Sequence, residues 1–145
     1  MRSISLLAAV IAVMLAAACS SDAAPAPSAS SASADADGIR LVSAEEGAAI
    51  QDDPPEELVI LDVRTPEEFD EGHLEGAVML DFYEPDFADE LADLDPDVPY
   101  LLYCRSGNRS GQTAEIMAEL GFTDVADVDG GVISWTDAGL DLVNG

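Results

Sequence analysis

One cysteine stands at the head of a short polar segment that could do nucleophilic chemistry: Cys104-Arg105-Ser106-Gly107-Asn108-Arg109. The central glycine permits backbone dihedrals that other residues avoid, so that successive N–H groups can turn inward and bind an anion. The two arginines add full positive charge. Each feature lowers the pKa of a thiol at Cys104 and favours the thiolate, which is the nucleophile. Taken by itself, a cysteine in such a turn is equally compatible with a buried inert thiol.

The elements on either side of this segment would position the cysteine. The apolar run Tyr100–Tyr103 predicts a buried strand that ends directly before Cys104. A helix is predicted from Arg109 to Leu120, with Gly121 as its stop. Such a helix points its unpaired N–H groups and the positive end of its dipole at the thiol. The sequence therefore predicts a strand–loop–helix unit with Cys104 at the carboxyl end of the strand.

The rest of the chain from Gly38 onward predicts an α/β fold, with a parallel sheet and helices on both faces. Capping boxes at Ser43 and Thr65 predict two helix starts, the first helix running through Ile50. A third helix is predicted from Pro85. Further apolar runs predict strands, and a short helix is predicted around Trp135; the strand runs are 58–61, 77–80 and 125–128. Ligand sites in such sheets lie beyond the carboxyl ends of the strands, where Cys104 is placed.

The N-terminus has the layout of an export signal. Arg2 is followed by an apolar run from Ile4 to Ala18, and small residues lead into Cys19. This arrangement resembles a bacterial lipobox, in which Cys19 would be lipidated, although Leu15 lies one position earlier than usual. Residues 1–18 are therefore predicted to be a signal peptide. Ordinary cleavage and a retained membrane anchor are the alternatives.

A flexible tether and one folded domain are expected after the signal. Residues 20–38 are almost wholly Ser, Ala, Pro and Asp, and cannot bury enough apolar surface to offset their ordering entropy. Residues 19–38 would thus link a lipid anchor to a domain at 39–145, on the outer face of a bacterial cell membrane. If Cys19 carries lipid, Cys104 has no partner within the chain and is a free thiol.

The composition restricts the partners of the protein. The formal net charge is −25, from 30 acidic residues against five arginines and no lysine. This charge argues against nucleic-acid binding, which needs a basic patch, and against docking on anionic lipid headgroups. Membrane contact is expected through the lipid anchor only. No metal-ligand spacing and no nucleotide-binding phosphate loop is found, so that no cofactor is predicted.

Three separated segments carry a resemblance to the rhodanese family. They are LDVRTPEEFDEGHLEGAVML (61–80), CRSGNRSG (104–111) and VDGGVISW (128–135). They occur in the order and at the spacing of the family's first signature, its active-site loop and its closing Gly-Gly…Trp segment. Together they cover nearly the whole expected domain. The resemblance implies a rhodanese-like fold and a sulfurtransferase activity.

The resemblance also implies roles for the residues of the loop. Cys104 would take a sulfane sulfur from thiosulfate or a persulfide donor and pass it, as a persulfide, to a thiol or cyanide. The donor would be held by the loop residues Arg105, Ser106, Gly107, Asn108 and Arg109, although Arg109 has the alternative of a structural carboxylate partner. No particular physiological donor or acceptor follows from the sequence, and a monomer is the expected state.

Two other functions are alternatives to a sulfurtransferase. Cysteine phosphatases place five residues between their Cys and Arg, whereas four separate Cys104 from Arg109, and the smaller cradle suits sulfur better than phosphate. A non-catalytic partner-binding module or a protein persulfide carrier is the other alternative.

The remaining notable residues are predicted to be structural: Asp62, Arg64, His73 and Trp135.

Overall fold

A parallel sheet organises the part of the chain that the structure, a computed structural model, describes: residues 38–144. Its strands are β1 (Ile39–Val42), β2 (Val59–Asp62), β3 (Val78–Met79), β4 (Tyr100–Tyr103) and β5 (Val125–Val128). They pair in parallel in the order β1-β5-β4-β2-β3. The predicted parallel sheet is therefore confirmed, with β4 at its centre.

Helices cover both faces of this sheet, as predicted. They are α1 (Ala44–Asp52), α2 (Pro66–Glu71), α3 (Phe87–Ala92), α4 (Asn108–Leu120) and α5 (Gly131–Asp137). On one face, Leu91 of α3 and Met117 of α4 pack against Leu102. On the other face, Ala44 of α1 and Trp135 of α5 pack against Leu101. Alternate residues of β4 thus face different cores.

The two central strands are buried on both sides, which explains their unbroken apolar sequence. Every residue of β4 and of β5 is buried. Their bounds match the predicted runs residue for residue. The one exception to the apolar pattern is Asp127, a carboxyl group inside β5.

Capping boxes begin α1 and α2 where the sequence predicted them. The Glu46 N–H donates to Ser43 Oγ at 3.2 Å, and the Ser43 N–H donates to Glu46 Oε2 at 2.8 Å. Thr65 and Glu68 make the same reciprocal pair at the start of α2, with proline at the first helical position. These bonds satisfy N–H groups that a helix start would otherwise leave unpaired.

Several details differ from the sequence predictions. Strand β1 was not predicted, since it is short and carries Arg40 at the edge of the sheet. Helix α3 begins at Phe87 and not at Pro85, because residues 85 and 86 form a turn before it. Strand β3 keeps only two residues of the predicted run. The helical spacing of Leu120 with Thr113 and Met117 predicts that it shares their buried face, but Leu120 is 41% exposed at the end of α4.

The predicted signal peptide, the lipidation site Cys19 and the tether fall on residues 1–37, outside the described residues. Gly38, the last residue assigned to the tether, directly precedes β1. Within residues 38–144, no helix combines the length and the apolar character that crossing a bilayer requires.

Candidate active site

The loop from Cys104 to Arg109 connects the end of β4 to the start of α4. Cys104 is a free thiol and only 1% exposed. Gly107 adopts the left-handed conformation (φ 88°), and its N–H donates to Cys104 Sγ at 3.1 Å. The side chains of Ser106 and Asn108 are exposed. The loop therefore folds around the sulfur with its backbone and turns its polar side chains outward.

The surroundings of Cys104 favour the thiolate although the thiol is buried. Burial by itself raises the pKa of a cysteine, and it is the largest single influence here. Hydrogen-bond donors oppose it: the Ser110 hydroxyl and the backbone N–H groups of Ser110, Ser106 and Gly107. Together these donors outweigh burial, and the pKa of Cys104 is lowered. The inward-facing cradle inferred from the glycine is thus present.

The first turn of α4 is open toward the sulfur because no side chain caps it. Its N-cap is Gly107, which has no side chain, and no side-chain hydrogen bond closes this end of the helix. The first N–H groups of a helix lack partners within the helix and attract anions. In α4 the Ser110 N–H of this first turn favours the thiolate of Cys104, together with the N–H of the N-cap Gly107.

A second helix start supports the loop from outside. The N–H groups of Val132 and Ile133, in the first turn of α5, donate to the carbonyls of Cys104 and Arg105 at 2.9 and 3.1 Å. Gly131 lies so close that a Cβ there would be 2.2 Å from the Cys104 carbonyl oxygen. The Gly-Gly pair of the VDGGVISW segment therefore allows α5 to lie directly against the active-site loop.

Arg109 has the carboxylate partner that the sequence analysis left as its alternative. Its guanidinium donates to both oxygens of Glu68, at 2.7 and 2.8 Å. The hydrogen bond from Arg109 is the main reason that the pKa of Glu68 falls to about 2, against the opposing effect of burial. Glu68 also caps α2, so the pair joins two helix starts beside the loop. The charge of Arg109 is thereby largely neutralised.

Arg105 is the loop cation that remains available. Its side chain is exposed, and no carboxylate pairs with it among residues 38–144. It borders a cleft of about 420 Å³ beside the loop. The other residues that line this cleft come from β2–α2 and from α5: Arg64, Glu68, Glu71, Val132, Ile133 and Thr136. A small molecule with both charged and apolar groups fits such a lining.

The residues predicted to be structural have structural contacts. Asp62 and Arg64 form a buried two-pronged ion pair, and Arg64 also donates to the Gly72 carbonyl at 2.8 Å. His73 stacks on Phe69, with ring centroids 3.7 Å apart. Trp135 lies in the core beneath α5. Within the described residues, no group of three or more histidine, cysteine or acidic side chains is arranged to hold a metal ion.

Sequence reasoning missed four residues that shape the site. Glu68 and Gly131 lie far from the loop in the chain and reach it only through the fold. Ser110 lies one residue beyond the predicted loop, inside α4. Asp127 lies in a run that the sequence predicts only as a strand of the hydrophobic core. A charged residue within an otherwise apolar buried run was the signal that pointed to it.

Comparison with known proteins agrees with this geometry. The family model for the rhodanese-like domain matches residues 43–138. The thiosulfate sulfurtransferase GlpE of Pseudomonas putida is 40% identical over 80 residues, which are 55% of this chain and 71% of that protein. A sulfurtransferase of Allochromatium vinosum is 31% identical over 88 residues, covering 61% of this chain and 80% of the other.

A solved structure shows the same fold. The rhodanese-related protein of Thermoplasma volcanium superposes with a TM-score of 0.62 at 26% identity, over 71% of this chain and 96% of that one. The match to the family model covers strands β2 to β5, the loop around Cys104 and the Gly-Gly segment that supports it. The chain belongs to the rhodanese-like domain family.

Proposed function

We propose that this protein is a sulfurtransferase that carries a sulfane sulfur as a persulfide on Cys104. The observation that carries the proposal is the lowered pKa of a buried thiol held by the Gly107 N–H at 3.1 Å. Such stabilisation favours the thiolate, which is the nucleophilic form of the cysteine. The relatives named sulfurtransferases support the same reaction class.

The first half-reaction would load the cysteine. The Cys104 thiolate attacks the outer sulfur of thiosulfate, a new S–S bond forms to give the persulfide anion (Cys104 Sγ–S⁻), and the S–S bond of thiosulfate breaks. Sulfite leaves with the electron pair of that bond, so that no external oxidant is needed. The N–H groups around the loop would stabilise the negative charge on the terminal sulfur. Arg105 would hold the sulfonate oxygens of the donor.

The second half-reaction would unload it. A thiolate or cyanide attacks the terminal sulfur, and the Cys104 thiolate leaves with the bonding electrons. The products are a new persulfide or thiocyanate together with the free enzyme. The cleft beside Arg105 would receive an acceptor thiol, because it adjoins the loop and combines charged with apolar walls.

Mass spectrometry of the purified full chain tests the loading step. Thiosulfate should add about 32 Da, one sulfur atom, to Cys104, and cyanide should remove it, as covalent catalysis requires. Cys104→Ser should abolish both steps, since a hydroxyl is far less ionised than a thiol. A folded chain that takes up sulfur from neither thiosulfate nor persulfide donors would contradict the proposal and favour a partner-binding module. Loading by persulfide donors alone would leave the relay standing with another donor.

The role of Arg105 has a matched control in Arg40. Arg105→Ala should raise the apparent KM for thiosulfate roughly three- to tenfold, because a charge-assisted contact to the donor is lost. Arg40→Ala removes the same charge from the edge strand β1, where Arg40 pairs with Asp124. Equal effects of the two substitutions would show that only the overall charge matters, and that Arg105 does not bind the donor.

We also propose that the protein is exported and held on a membrane by lipid on Cys19. This proposal is supported by the order of basic residue, apolar run and small residues before that cysteine. The intact mass of the native protein should show a chain that begins at a lipidated Cys19. A mature chain that begins elsewhere, without lipid, would contradict it and leave the proposed reaction untouched.

A further inference from the structure

Asp127 is a buried carboxyl group that has no role in the proposed reaction. It is 4% exposed inside β5, and its neighbours on the adjoining strands are Leu41 and Leu102. A carboxylate in such surroundings is costly unless it is paired. None of the ion pairs within residues 38–144 includes Asp127. They are Arg40 with Asp124, Arg64 with Asp62 and Arg109 with Glu68. Asp127 therefore lacks a compensating cation in the described part of the chain.

Ser110 connects this carboxyl group with the nucleophile. It lies in the first turn of α4, fully buried, and its hydroxyl favours the ionised form of both Cys104 and Asp127. Yet neither Ser110 Oγ nor Asp127 Oδ1 completes a hydrogen bond of good geometry within residues 38–144. A hydroxyl has a single hydrogen to donate. The buried Ser110 hydroxyl thus has two candidate acceptors, the Cys104 sulfur and the Asp127 carboxylate, and its hydrogen can serve only one of them at a time.

We propose that Asp127 is a positioning residue for Cys104 that acts through Ser110. When Asp127 is ionised, it competes with the Cys104 thiolate for the hydroxyl hydrogen. When Asp127 is protonated, its own O–H can donate to Ser110 Oγ, and the Ser110 hydrogen is then free for the sulfur. The protonation state of a carboxyl group in β5 would in this way set how well the thiolate is stabilised. The inference rests on the proposed role of Cys104 as the nucleophile.

The charges around Asp127 place this exchange near neutral pH. Burial raises the pKa of Asp127 to about 6, the Ser110 hydroxyl opposes the rise, and the negative charge of Asp129 adds to it. The facing residues of β1 and β4 are apolar. The charged residues of α4 are Arg109, which is paired with Glu68, and the exposed Glu115 and Glu119. The Cys104 thiol is also titratable, and the Ser110 hydroxyl influences its pKa as well as that of Asp127.

The sign of the effect follows from the competition. Below about pH 6 the protonated Asp127 leaves the hydrogen of Ser110 to the sulfur, which keeps the pKa of Cys104 low. Above that pH the ionised carboxylate withdraws it, and the pKa of Cys104 rises. The thiolate should therefore appear over a wider pH range than a single independent thiol would show.

Alkylation of Cys104 by iodoacetamide across pH tests the proposal without any sulfur donor. Asp127→Asn should lower the midpoint of alkylation by about one pH unit, a roughly tenfold higher thiolate-to-thiol ratio at a given pH, and should narrow the profile. Ser110→Ala should raise the midpoint. In the Ser110→Ala background, Asp127→Asn should shift it by less than about 0.3 unit, because the connecting hydroxyl is gone.

Two further variants make the outcome decisive. Asp129→Asn removes a neighbouring, exposed charge without touching Ser110, and should leave the midpoint nearly unchanged. Asp127→Val, which suits a buried strand, should shift the midpoint in the same direction as Asp127→Asn. An unshifted midpoint in both Asp127 variants would overturn the proposal, as would an equal shift with and without Ser110. Because alkylation needs only the thiol, a failure of sulfur loading would not be mistaken for either result.

Discussion

Two aspartates are buried in the same sheet, and they differ in whether a cation accompanies them. Asp62, at the end of β2, is fully buried, and Arg64 donates to both of its oxygens at 2.6 to 3.0 Å. Asp127, in β5, is 4% exposed and has no such partner among residues 38–144. The charges of Asp62 and Arg64 compensate each other, whereas the only group among the described residues found to favour the ionised form of Asp127 is the Ser110 hydroxyl, which also favours the thiolate of Cys104.

The presence or absence of a neighbouring cation decides whether a buried aspartate stabilises the fold or exchanges a proton. A buried pair with complete hydrogen bonds holds its charges and resists change, because loss of either partner leaves the other unpaired. A buried acid without a cation instead exchanges its proton near neutral pH. We expect the first aspartate to matter for folding and the second for the reactivity of its neighbours.

The largest effect on the free energy of unfolding is expected at the Asp62–Arg64 ion pair. Asp62→Ala leaves the guanidinium of Arg64 buried and uncompensated, which should lower the free energy of unfolding by roughly 3–5 kcal/mol. Urea denaturation at pH 7 measures this loss. The double variant Asp62→Leu, Arg64→Met removes both charges and should recover a large part of it. If the free energy of unfolding of the double variant is no higher than that of Asp62→Ala, an uncompensated charge on Arg64 is not the cause of the loss.

A change of opposite sign is expected at Asp127. Its pKa is about 6 in the fold and 3.8 unperturbed, so the folded chain holds the proton more tightly. The resulting destabilisation is absent below about pH 4 and develops as the pH rises through 6, reaching roughly 3 kcal/mol. Asp127→Val should therefore raise the free energy of unfolding at pH 8 by roughly that amount.

The pH dependence gives this second prediction its control. At pH 3 the gain from Asp127→Val should nearly vanish, because Asp127 is then mostly protonated in both the folded and the unfolded chain. Denaturation of the variant and the unmodified protein at pH 3, 6 and 8 provides the comparison. A variant that is destabilised at pH 8 would show that Asp127 has a buried partner after all.

The smallest effect is expected at a third carboxylate, Glu68, which is less buried than the two aspartates. Its pKa of about 2 lies below the usual 4.5, so the ion pair with Arg109 contributes stability above pH 4.5 and loses it as the pH falls toward 2. Glu68→Gln should cost about 1 kcal/mol at pH 7. Thermal unfolding at pH 7 and at pH 2.5 should show that the cost shrinks in acid; a constant cost would assign it to the helix cap.

Local patterns in the sequence predicted much of the fold. Strands β4 and β5 matched their predicted bounds because a strand buried on both faces has to be apolar throughout. The starts of α1 and α2 were predictable since a capping box is a contact between residues three apart. Strand β1 lacked both signals, because it lies at an edge and pairs with a strand from the far end of the chain.

The site was predictable only as far as the loop itself. The cradle of N–H groups follows from Gly107 and the helix behind it, and the structure places both as expected. The partner of Arg109 lies 41 residues away in the chain, and the support from α5 depends on where the last strand ends. Contacts of this kind are set by the packing of the whole sheet and leave no local pattern.

The close contact between Gly131 and the Cys104 carbonyl divides the loop into fixed and adjustable positions. Any side chain at Gly131 would meet backbone atoms at 2.2 Å, and one at Gly107 would force a strained left-handed residue. Arg105, Ser106 and Asn108, by contrast, have exposed side chains. Under the proposed function, substitutions at these three positions would change the donor preference while the backbone around the sulfur stays the same, so that this loop could be engineered for new substrates.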